Sequence, residues 1–369
     1  MSTFLFTIGS IILFLIILSL LVIAHELGHF FVARKAGIRV DEFGLGYPPR
    51  AKKLFHRNGT DFTLNWLPLG GFVKIFGEDG SEDLSPEDQK QSFMYKPKYI
   101  QALVLVAGVT MNFLIGWILI VGLYTVGTHI IFDDTIPSTY LANTQLLIEN
   151  VSPGTPAELS QLKAGDILKK LSYADHSKML EKYAPETLTD FIRGSNGTQL
   201  EFDIVRDQQP LVILVTPQNT SGHFMVGITP ELVGYVKMPF FTSIVEGFHS
   251  SIMLVKETVT GIAGLFTHKV SLDEVSGPVG MVALVGDAYK MGFEYLIFFT
   301  VIISLSLSVI NLIPFPALDG GRLLFVIIEA VIRRPIPPKI ANTLNTAGFV
   351  ILLLLMLIVT YHDVLNLFK

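Results

Sequence analysis

The chain of 369 residues contains no cysteine, which excludes both disulfide bonds and thiolate ligands for a metal. Any metal that it binds must therefore be held by histidine, aspartate or glutamate. Charged residues are also scarce, at 16% of the sequence, whereas 50% of the residues are hydrophobic and the mean hydropathy is +0.53. A soluble globular chain carries more charge than this, so the composition indicates an integral protein of the lipid bilayer.

The sequence also lacks a concentration of positive charge. Its formal net charge is -5, and it contains no basic stretch with interleaved aromatic residues. A protein that binds the phosphates of DNA or RNA needs such a stretch, so we expect no nucleic acid among its partners.

Four segments are long and apolar enough to cross a bilayer, whose core of about 30 Å requires about 20 helical residues. We expect them at residues 4–24, 102–126, 295–313 and 347–361. The first segment lacks the basic start and the small-residue cleavage site of a signal peptide, so we expect it to remain as a helix.

Lysine and arginine residues near the segment ends predict the orientation. Eleven of them lie in the loop 30–98 after the first segment, and Arg322, Arg333, Arg334 and Lys339 follow the third. Because positively charged loops stay in the cytoplasm, the first segment should end on that side, and the long region between the second and third segments should lie outside.

The sequence HELGH at residues 25–29 closes the first apolar segment, where an ionisable side chain costs roughly 2.5 to 3.5 kcal/mol. On a helix, His25 and His29 share a face and Glu26 lies beside them. This is half of a metal site, and in HExxH hydrolases the metal activates water while the glutamate is the general base. Histidines that only hydrogen-bond between helices are the structural alternative. Gly28 would admit the close approach of another backbone or of a substrate.

A catalytic zinc usually has three protein ligands, so two histidines leave one ligand to be found elsewhere. The best candidate is Asp319 in NLIPFPALDGGR, at the cytoplasmic end of the third segment and therefore at the expected membrane level of His25 and His29. The alternative is an ordinary turn aspartate before two glycines.

Three features together resemble the site-2 protease family of intramembrane zinc metalloproteases, in particular its bacterial RseP-type members. They are HELGH in the first apolar helix, NLIPFPALDG at the end of a later one, and a PDZ-like insertion between them. The resemblance spans nearly the whole chain. It implies a polytopic α-helical protease core that holds one zinc ion per chain through His25, His29 and Asp319, with Glu26 as the general base.

Two asparagines also have counterparts in this family. Asn311, eight residues before the aspartate, would bind the substrate backbone or the developing oxyanion through its amide. Asn112 would line the polar cavity; it lies in VAGVTMNF, which resembles the family's AGPxxNF segment with Val109 in the place of proline. For both asparagines, a plain hydrogen bond between helices is the alternative.

Alternating apolar residues between positions 40 and 75 and the Asn58-Gly59 turn predict a β-hairpin, which the resemblance places at the membrane. A helical substrate must be unwound before hydrolysis, because its peptide bonds are enclosed by their own hydrogen bonds. The hairpin would hold the unwound segment as an added strand, with close backbone approach at Gly70 and Gly71. A hairpin that only anchors the loop in the membrane interface is the alternative.

The sequence between the second and third apolar segments predicts a folded domain outside the membrane. Residues 148–172 resemble the strand, Pro-Gly turn and short helix of protease-associated PDZ domains, and we expect an extracytoplasmic PDZ-like α+β domain at 140–232. It would capture a peptide tail or exclude bulky substrates. Residues 236–268 should form an amphipathic helix in the outer interface, between protease-core segments at 1–127 and 290–369.

The predicted function is hydrolysis of peptide bonds within transmembrane segments of membrane proteins, such as anti-sigma-factor-like regulators or signal-peptide remnants. A membrane adaptor with a PDZ-like domain and an inert or structural metal site is the alternative from another class. A metallopeptidase that acts on soluble peptides would instead take its third ligand from a Glu-based helical motif, which the aspartate of LDG argues against.

Overall fold

The computed structural model describes residues 2–78, 84–131, 140–174, 176–179, 185–206, 209–220, 222–267 and 276–366. The chain divides into two compact units. Unit 1 comprises residues 1–121 and 247–369, and unit 2 comprises residues 122–246.

Four of the described helices are long and apolar enough to cross a membrane: Leu5–Lys35 within α1 (Ser2–Lys35), α3 (Lys98–Val126), α8 (Phe293–Leu312), and Pro338–Leu365 within α10 (Pro338–Asn366). The predicted number of spans is therefore confirmed, and the protein is a multi-pass membrane protein. The last helix begins nine residues earlier than expected, at Pro338 rather than 347, because polar side chains such as Asn342 and Asn345 dilute the hydropathy of its first turns.

Six other helices complete the described set: α2 (Pro86–Gln91), α4 (Pro156–Leu159), α5 (Pro185–Gly194), α6 (Phe240–Phe266), α7 (Pro278–Met291) and α9 (Asp319–Ile332). The sequence did not predict α7 or α9, which are too short to span a bilayer. Helix α6 lies within the range 236–268 in which an amphipathic helix was expected. Residue 268, the expected end of that helix, lies outside the described residues.

Helices α1 and α3 approach each other closely at a glycine. A Cβ atom on Gly28 would lie only 2.4 Å from the carbonyl oxygen of Ala107, so no larger residue fits there without displacing α3. The expected approach at Gly28 is therefore made by another backbone. Helix α3 runs without interruption through Val109, where the family has proline.

Strands β1 (Val40–Arg57) and β2 (Thr60–Ile75) form a two-stranded antiparallel hairpin in unit 1. Their connection places Asn58 at φ 51° and Gly59 at φ 80°, the left-handed conformation that a two-residue hairpin turn requires. The backbone N–H of Gly70 donates to Ser19 Oγ at 3.2 Å, which fixes β2 against α1.

A buried hydrophobic cluster joins these elements just after the HELGH sequence of α1. Ala33 at the end of α1 packs with Val40 and Ile75 at the open end of the hairpin, Val104 of α3 and Val326 of α9. The motif is therefore held between three helices and the hairpin.

Unit 2 contains a seven-stranded antiparallel sheet with the order β3-β11-β4-β5-β7-β8 and β6 paired with β5. The strands are β3 (Thr128–Ile131), β4 (Leu141–Val151), β5 (Ile167–Tyr173), β6 (His176–Met179), β7 (Leu200–Arg206), β8 (Gln209–Val215) and β11 (Ile228–Val236). A short hairpin of β9 (Gln218–Thr220) and β10 (His223–Met225) precedes β11. The sheet includes β3, which lies before the expected start at residue 140.

Candidate metal centre

Two histidines and one aspartate converge at the end of α1. His25 Nε2 lies 2.8 Å from Asp319 Oδ2, His29 Nε2 lies 3.2 Å from the same oxygen, and the two Nε2 atoms are 3.1 Å apart. Both imidazoles are buried. Within the described ranges, this is the one group of three histidine, aspartate or glutamate side chains whose ligand atoms come together in this way.

Helix α3 supports the two rings from behind. His29 Nδ1 lies 2.8 Å from the carbonyl oxygen of Val104, and His25 Nδ1 lies 3.3 Å from Asn112 Nδ2. Gly108 sits directly over the rings, because a Cβ atom there would lie 2.4 Å from His29 Nε2 and 2.7 Å from His25 Nε2. Each histidine thus turns its Nε2 toward Asp319 and its other nitrogen toward α3.

The loop before α9 holds Asp319 in place. Helix α8 ends at Leu312, and the first turn of α9 packs so tightly on the loop that a Cβ atom on Gly321 would lie 2.2 Å from the carbonyl oxygen of Phe315. Helix α10 fixes the same loop from its other side, because Asn345 Oδ1 accepts a hydrogen bond of 3.2 Å from the Ala317 N–H. Asp319 is the first residue of α9, where the helix dipole stabilises a negative charge.

Glu26 lies on α1 beside the two histidines and is half-buried. The backbone of Val73 on β2 hydrogen-bonds to its carboxylate. Glu26 does not join the group of converging ligand atoms, which consists of His25, His29 and Asp319. Its carboxylate is therefore placed next to the candidate metal position and against the hairpin.

The other predicted residues have different surroundings. Asn311 is half-buried in the last turn of α8, and among the described residues its side-chain amide has no hydrogen-bond partner. Asn112 is completely buried, and its side-chain amide lies 3.3 Å from Nδ1 of His25. Its predicted position at the polar cavity stays a prediction.

Gly70 and Gly71 both lie close to other parts of the protein. A Cβ atom on Gly70 would lie 2.7 Å from Val22 of α1, and one on Gly71 would lie 2.8 Å from the Gly44 carbonyl oxygen of β1. No larger residue fits at either position without displacing a neighbour, and the predicted approach of a substrate to these glycines stays a prediction.

The donor set fits a zinc ion. Ligands about 2.0–2.1 Å from a tetrahedral zinc stand roughly 3.3–3.4 Å from each other. The observed separations of 2.8 to 3.2 Å are close to this value, and two imidazoles with one carboxylate leave a fourth position open. The supporting contacts of Val104, Gly108 and Asn345 were not predicted, because none of these residues carries a local sequence signal.

Comparison with known proteins agrees with this geometry. The family model described as peptidase family M50 matches residues 13–355. The chain belongs to peptidase family M50. The predicted membership of the site-2 protease family is thereby confirmed, as is the prediction of an enzyme, since this is a family of hydrolases.

The chain is similar to proteins named as zinc metalloproteases, over nearly the full length of each. A putative zinc metalloprotease of Clostridium perfringens is 34% identical over 96% of this chain and 98% of its own length. A putative zinc metalloprotease of Rickettsia conorii is 28% identical, over 98% and 99%. The zinc metalloprotease RasP of Shouchella clausii is 26% identical, over 98% of this chain and 100% of its own length.

Proposed function

We propose that this member of peptidase family M50 is an intramembrane endopeptidase that uses one zinc ion to hydrolyse peptide bonds within transmembrane segments of other membrane proteins. One observation supports this most strongly: His25, His29 and Asp319 converge at the end of an apolar helix that is long enough to cross a bilayer. Anti-sigma-factor-like regulators and signal-peptide remnants are substrates of the expected kind.

His25, His29 and Asp319 would hold the zinc through the atoms that already face each other. When bound, zinc polarises carbonyl groups and makes water more acidic. The buried rings and the packing of Gly108 over them restrict the access of bulk water from the side of α3.

Glu26 would act as the general base. Its carboxylate oxygen takes a proton from the attacking water and later gives it to the leaving amine of the cleaved bond. The hydrogen bond to the Val73 backbone orients this carboxylate without making it a ligand. The unpaired amide of Asn311 would donate a hydrogen bond to the substrate backbone or to the oxyanion.

The hairpin would present the substrate to Glu26. It associates with the membrane, since it runs beside the apolar helix α1 and carries Trp66, which is 71% exposed. Aromatic side chains of this kind favour the membrane interface. An unwound substrate segment would add to the hairpin as a further strand, close to the strand that contacts Glu26.

The experiment that tests this function compares the wild type with Glu26→Gln on a model transmembrane peptide and measures zinc per chain for both. We expect one zinc ion in each protein and a loss of at least about a hundredfold in cleavage rate for Glu26→Gln, because only the base is removed. A Gln variant that cleaves at the wild-type rate would contradict the role of Glu26. If both proteins held zinc and neither cleaved, the membrane adaptor with a structural metal site would be favoured instead.

The excess of lysine and arginine in loop 30–98 supports a cytoplasmic position for the metal centre and an extracytoplasmic position for unit 2. Because the chain has no cysteine, single cysteines can report the side on which a residue lies. We expect a cysteine at Asn58 to react with an impermeant reagent from the cytoplasm and one at Ser177 to react from outside. Reaction of both from one side would refute this orientation.

Unit 2 would act as a PDZ-like filter that refuses substrates with bulky outer domains. A second role, the capture of a peptide tail, is supported by a groove of about 320 Å³ between α5 and the start of β11, lined by Leu188, Ile192 and Ile228 among others. Among the described residues, β3 pairs with positions 233–236 of β11 and not with the first half of that strand. An extended tail could therefore add to the first half of β11.

Replacing residues 128–237 with a flexible bridge separates these two roles. A filter predicts that the variant cleaves substrates with large outer domains and that trimmed substrates are cut at an unchanged rate. A tail-capturing domain predicts that trimmed substrates are cut more slowly, because a tethered docking site raises their effective concentration. Zinc content should stay at the wild-type value in either case, which serves as the control for folding of the core.

A further inference from the structure

The two zinc-ligating histidines have different partners on α3. His29 Nδ1 faces the carbonyl oxygen of Val104 at 2.8 Å, and a carbonyl can only accept a hydrogen bond. His29 therefore carries a proton on Nδ1, and Nε2 is the atom through which it would bind a metal. The backbone alone provides the outer partner that a histidine ligand requires.

His25 has a side-chain partner on α3 in place of a backbone carbonyl. Its Nδ1 lies 3.3 Å from the side-chain amide of Asn112, a group that contains both a donor and an acceptor. Its Nε2 lies 2.8 Å from Asp319 Oδ2 and 3.1 Å from His29 Nε2. A histidine that binds a metal through Nε2 carries its proton on Nδ1, so the Asn112 amide must accept from Nδ1 when His25 is a ligand.

Asn112 has an acceptor for this proton. Its side chain is completely buried, and among the described residues Asn112 Oδ1 is without a hydrogen-bond partner. The oxygen and the nitrogen of an amide can occupy either of the same two positions, so Oδ1 fits the position that faces His25 Nδ1. It would there accept from His25 Nδ1–H, and Nε2 would keep its lone pair for zinc. Ser304 Oγ, which donates to the Asn112 backbone oxygen at 2.7 Å, holds this turn of α3.

We propose that Asn112 is a positioning residue whose amide oxygen accepts from His25 Nδ1–H and so keeps the lone pair of His25 Nε2 directed at the zinc. The inference rests on the proposed zinc site at His25, His29 and Asp319. It assigns the two histidines different partners: a backbone carbonyl for His29 and a side-chain amide for His25. An aspartate at position 112 could only accept, and an aliphatic residue could do neither.

The test is the dissociation constant for zinc, measured by competition with a chelator in the detergent-solubilised full-length protein. We expect Asn112→Leu, which has a similar volume, to weaken zinc binding by about 10- to 100-fold, as loss of an outer partner of a ligating histidine usually does. Asn112→Asp should bind zinc as tightly as the wild type or more tightly, because it still accepts from Nδ1. Ser304→Ala, the matched control, removes the contact to the Asn112 backbone and should change the constant by less than about threefold.

The thermal midpoint of each variant without zinc separates positioning from folding, and Asn112→Ala replaces the leucine variant if the latter does not fold. Unchanged zinc binding in the Leu or Ala variant would overturn the inference. It would also be overturned if Asn112→Asp bound zinc as weakly as Asn112→Leu, or if Ser304→Ala weakened binding equally. A wild type that binds no zinc would refute the proposed function itself, so the two failures are distinguishable.

Discussion

Unit 1 contains two aspartates in apolar surroundings at helix ends, and their partners differ in kind. Asp319 begins α9 and presents one carboxylate oxygen to His25 and His29. Asp363 lies in the last turns of α10, where its two oxygens accept hydrogen bonds of 3.1 and 2.8 Å from the backbone N–H groups of Gly277 and Gly280. Both carboxylates are compensated, but only the partners of Asp319 can also bind a metal.

The difference shows how a buried carboxylate in a membrane protein should be judged. Backbone N–H groups at the start of a helix have no acceptor within the helix, and they do not bind metals. Asp363 accepts from two of them at the start of α7, as a capping residue does. Imidazole nitrogens that converge on one oxygen have a second use, because each carries a lone pair when neutral. The type of partner, more than the burial, distinguishes the functional site from the structural one.

The largest effect should follow from Asp319→Ala, which removes the third ligand. Two histidines alone do not form a catalytic zinc site, so we expect zinc content to fall toward zero and cleavage to become undetectable. Metal analysis of the purified variant together with a peptide cleavage assay measures both. Asp319→Asn is the matched control of equal size, and zinc retained in full by the alanine variant would contradict the ligand assignment.

A smaller but clear loss is expected for Gly108→Ala. The added Cβ atom would lie 2.4 Å from His29 Nε2, so the ring must shift and zinc binding should weaken by at least about tenfold. Gly122→Ala on the same helix is the matched control, because nothing lies within 4 Å of its Cβ position. The same chelator competition applies to both variants, and equal affinities would show that the rings tolerate the methyl group.

Asp363→Ala should destabilise the protein and leave the metal centre intact. It leaves the N–H groups of Gly277 and Gly280 without their partner, at a cost of about 1–3 kcal/mol for the buried group of Gly277 and less for the partly buried one of Gly280. We expect a lower thermal midpoint in detergent with normal zinc content. A variant that loses zinc at an unchanged midpoint would abolish the distinction between the two aspartates.

The smallest effect belongs to Asp287→Ala, which removes a surface ion pair with Lys290 at 2.9 Å. Both side chains are largely exposed, and such pairs contribute about 0.2–1 kcal/mol or less. We expect a thermal midpoint within error of the wild type. Asp287 lies on α7, the helix that Asp363 caps. A large decrease in the thermal midpoint of Asp287→Ala would show that any substitution in α7 destabilises the protein, and that the effect of Asp363→Ala is not specific to its hydrogen bonds.

The sequence predicted the parts of the site that have a local signal. Ionisable residues inside an apolar helix are costly, and this alone drew attention to His25, Glu26 and His29. Asp319 was found because only a few carboxylates lie at the same expected membrane level. The four spanning helices followed from length and hydropathy, although the polar residues early in α10 concealed its start.

The parts that were missed depend on partners far along the chain. Helix α7 begins at Pro278, and the carboxylate that accepts from the preceding residue, Gly277, is 86 residues away. Strand β3 has only four residues and pairs with β11, about a hundred positions later in the sequence, so it resembles a loop when read locally. The role of Asn112 likewise depends on the side of the His25 ring that it faces, which no spacing rule gives.

The separation of the ligands along the chain also has a consequence for biosynthesis. His25 and Asp319 are 294 residues apart, and the loop that carries Asp319 is braced by Asn345 of the final helix. At a synthesis rate of about 5–20 residues per second, a growing chain spends roughly 15 to 60 seconds with the first histidine made and the aspartate still missing. With the proposed ligand set, we expect the nascent chain to lack its third zinc ligand during this time, and to be able to hydrolyse peptide bonds only after Asp319 and the helix that carries Asn345 have been made.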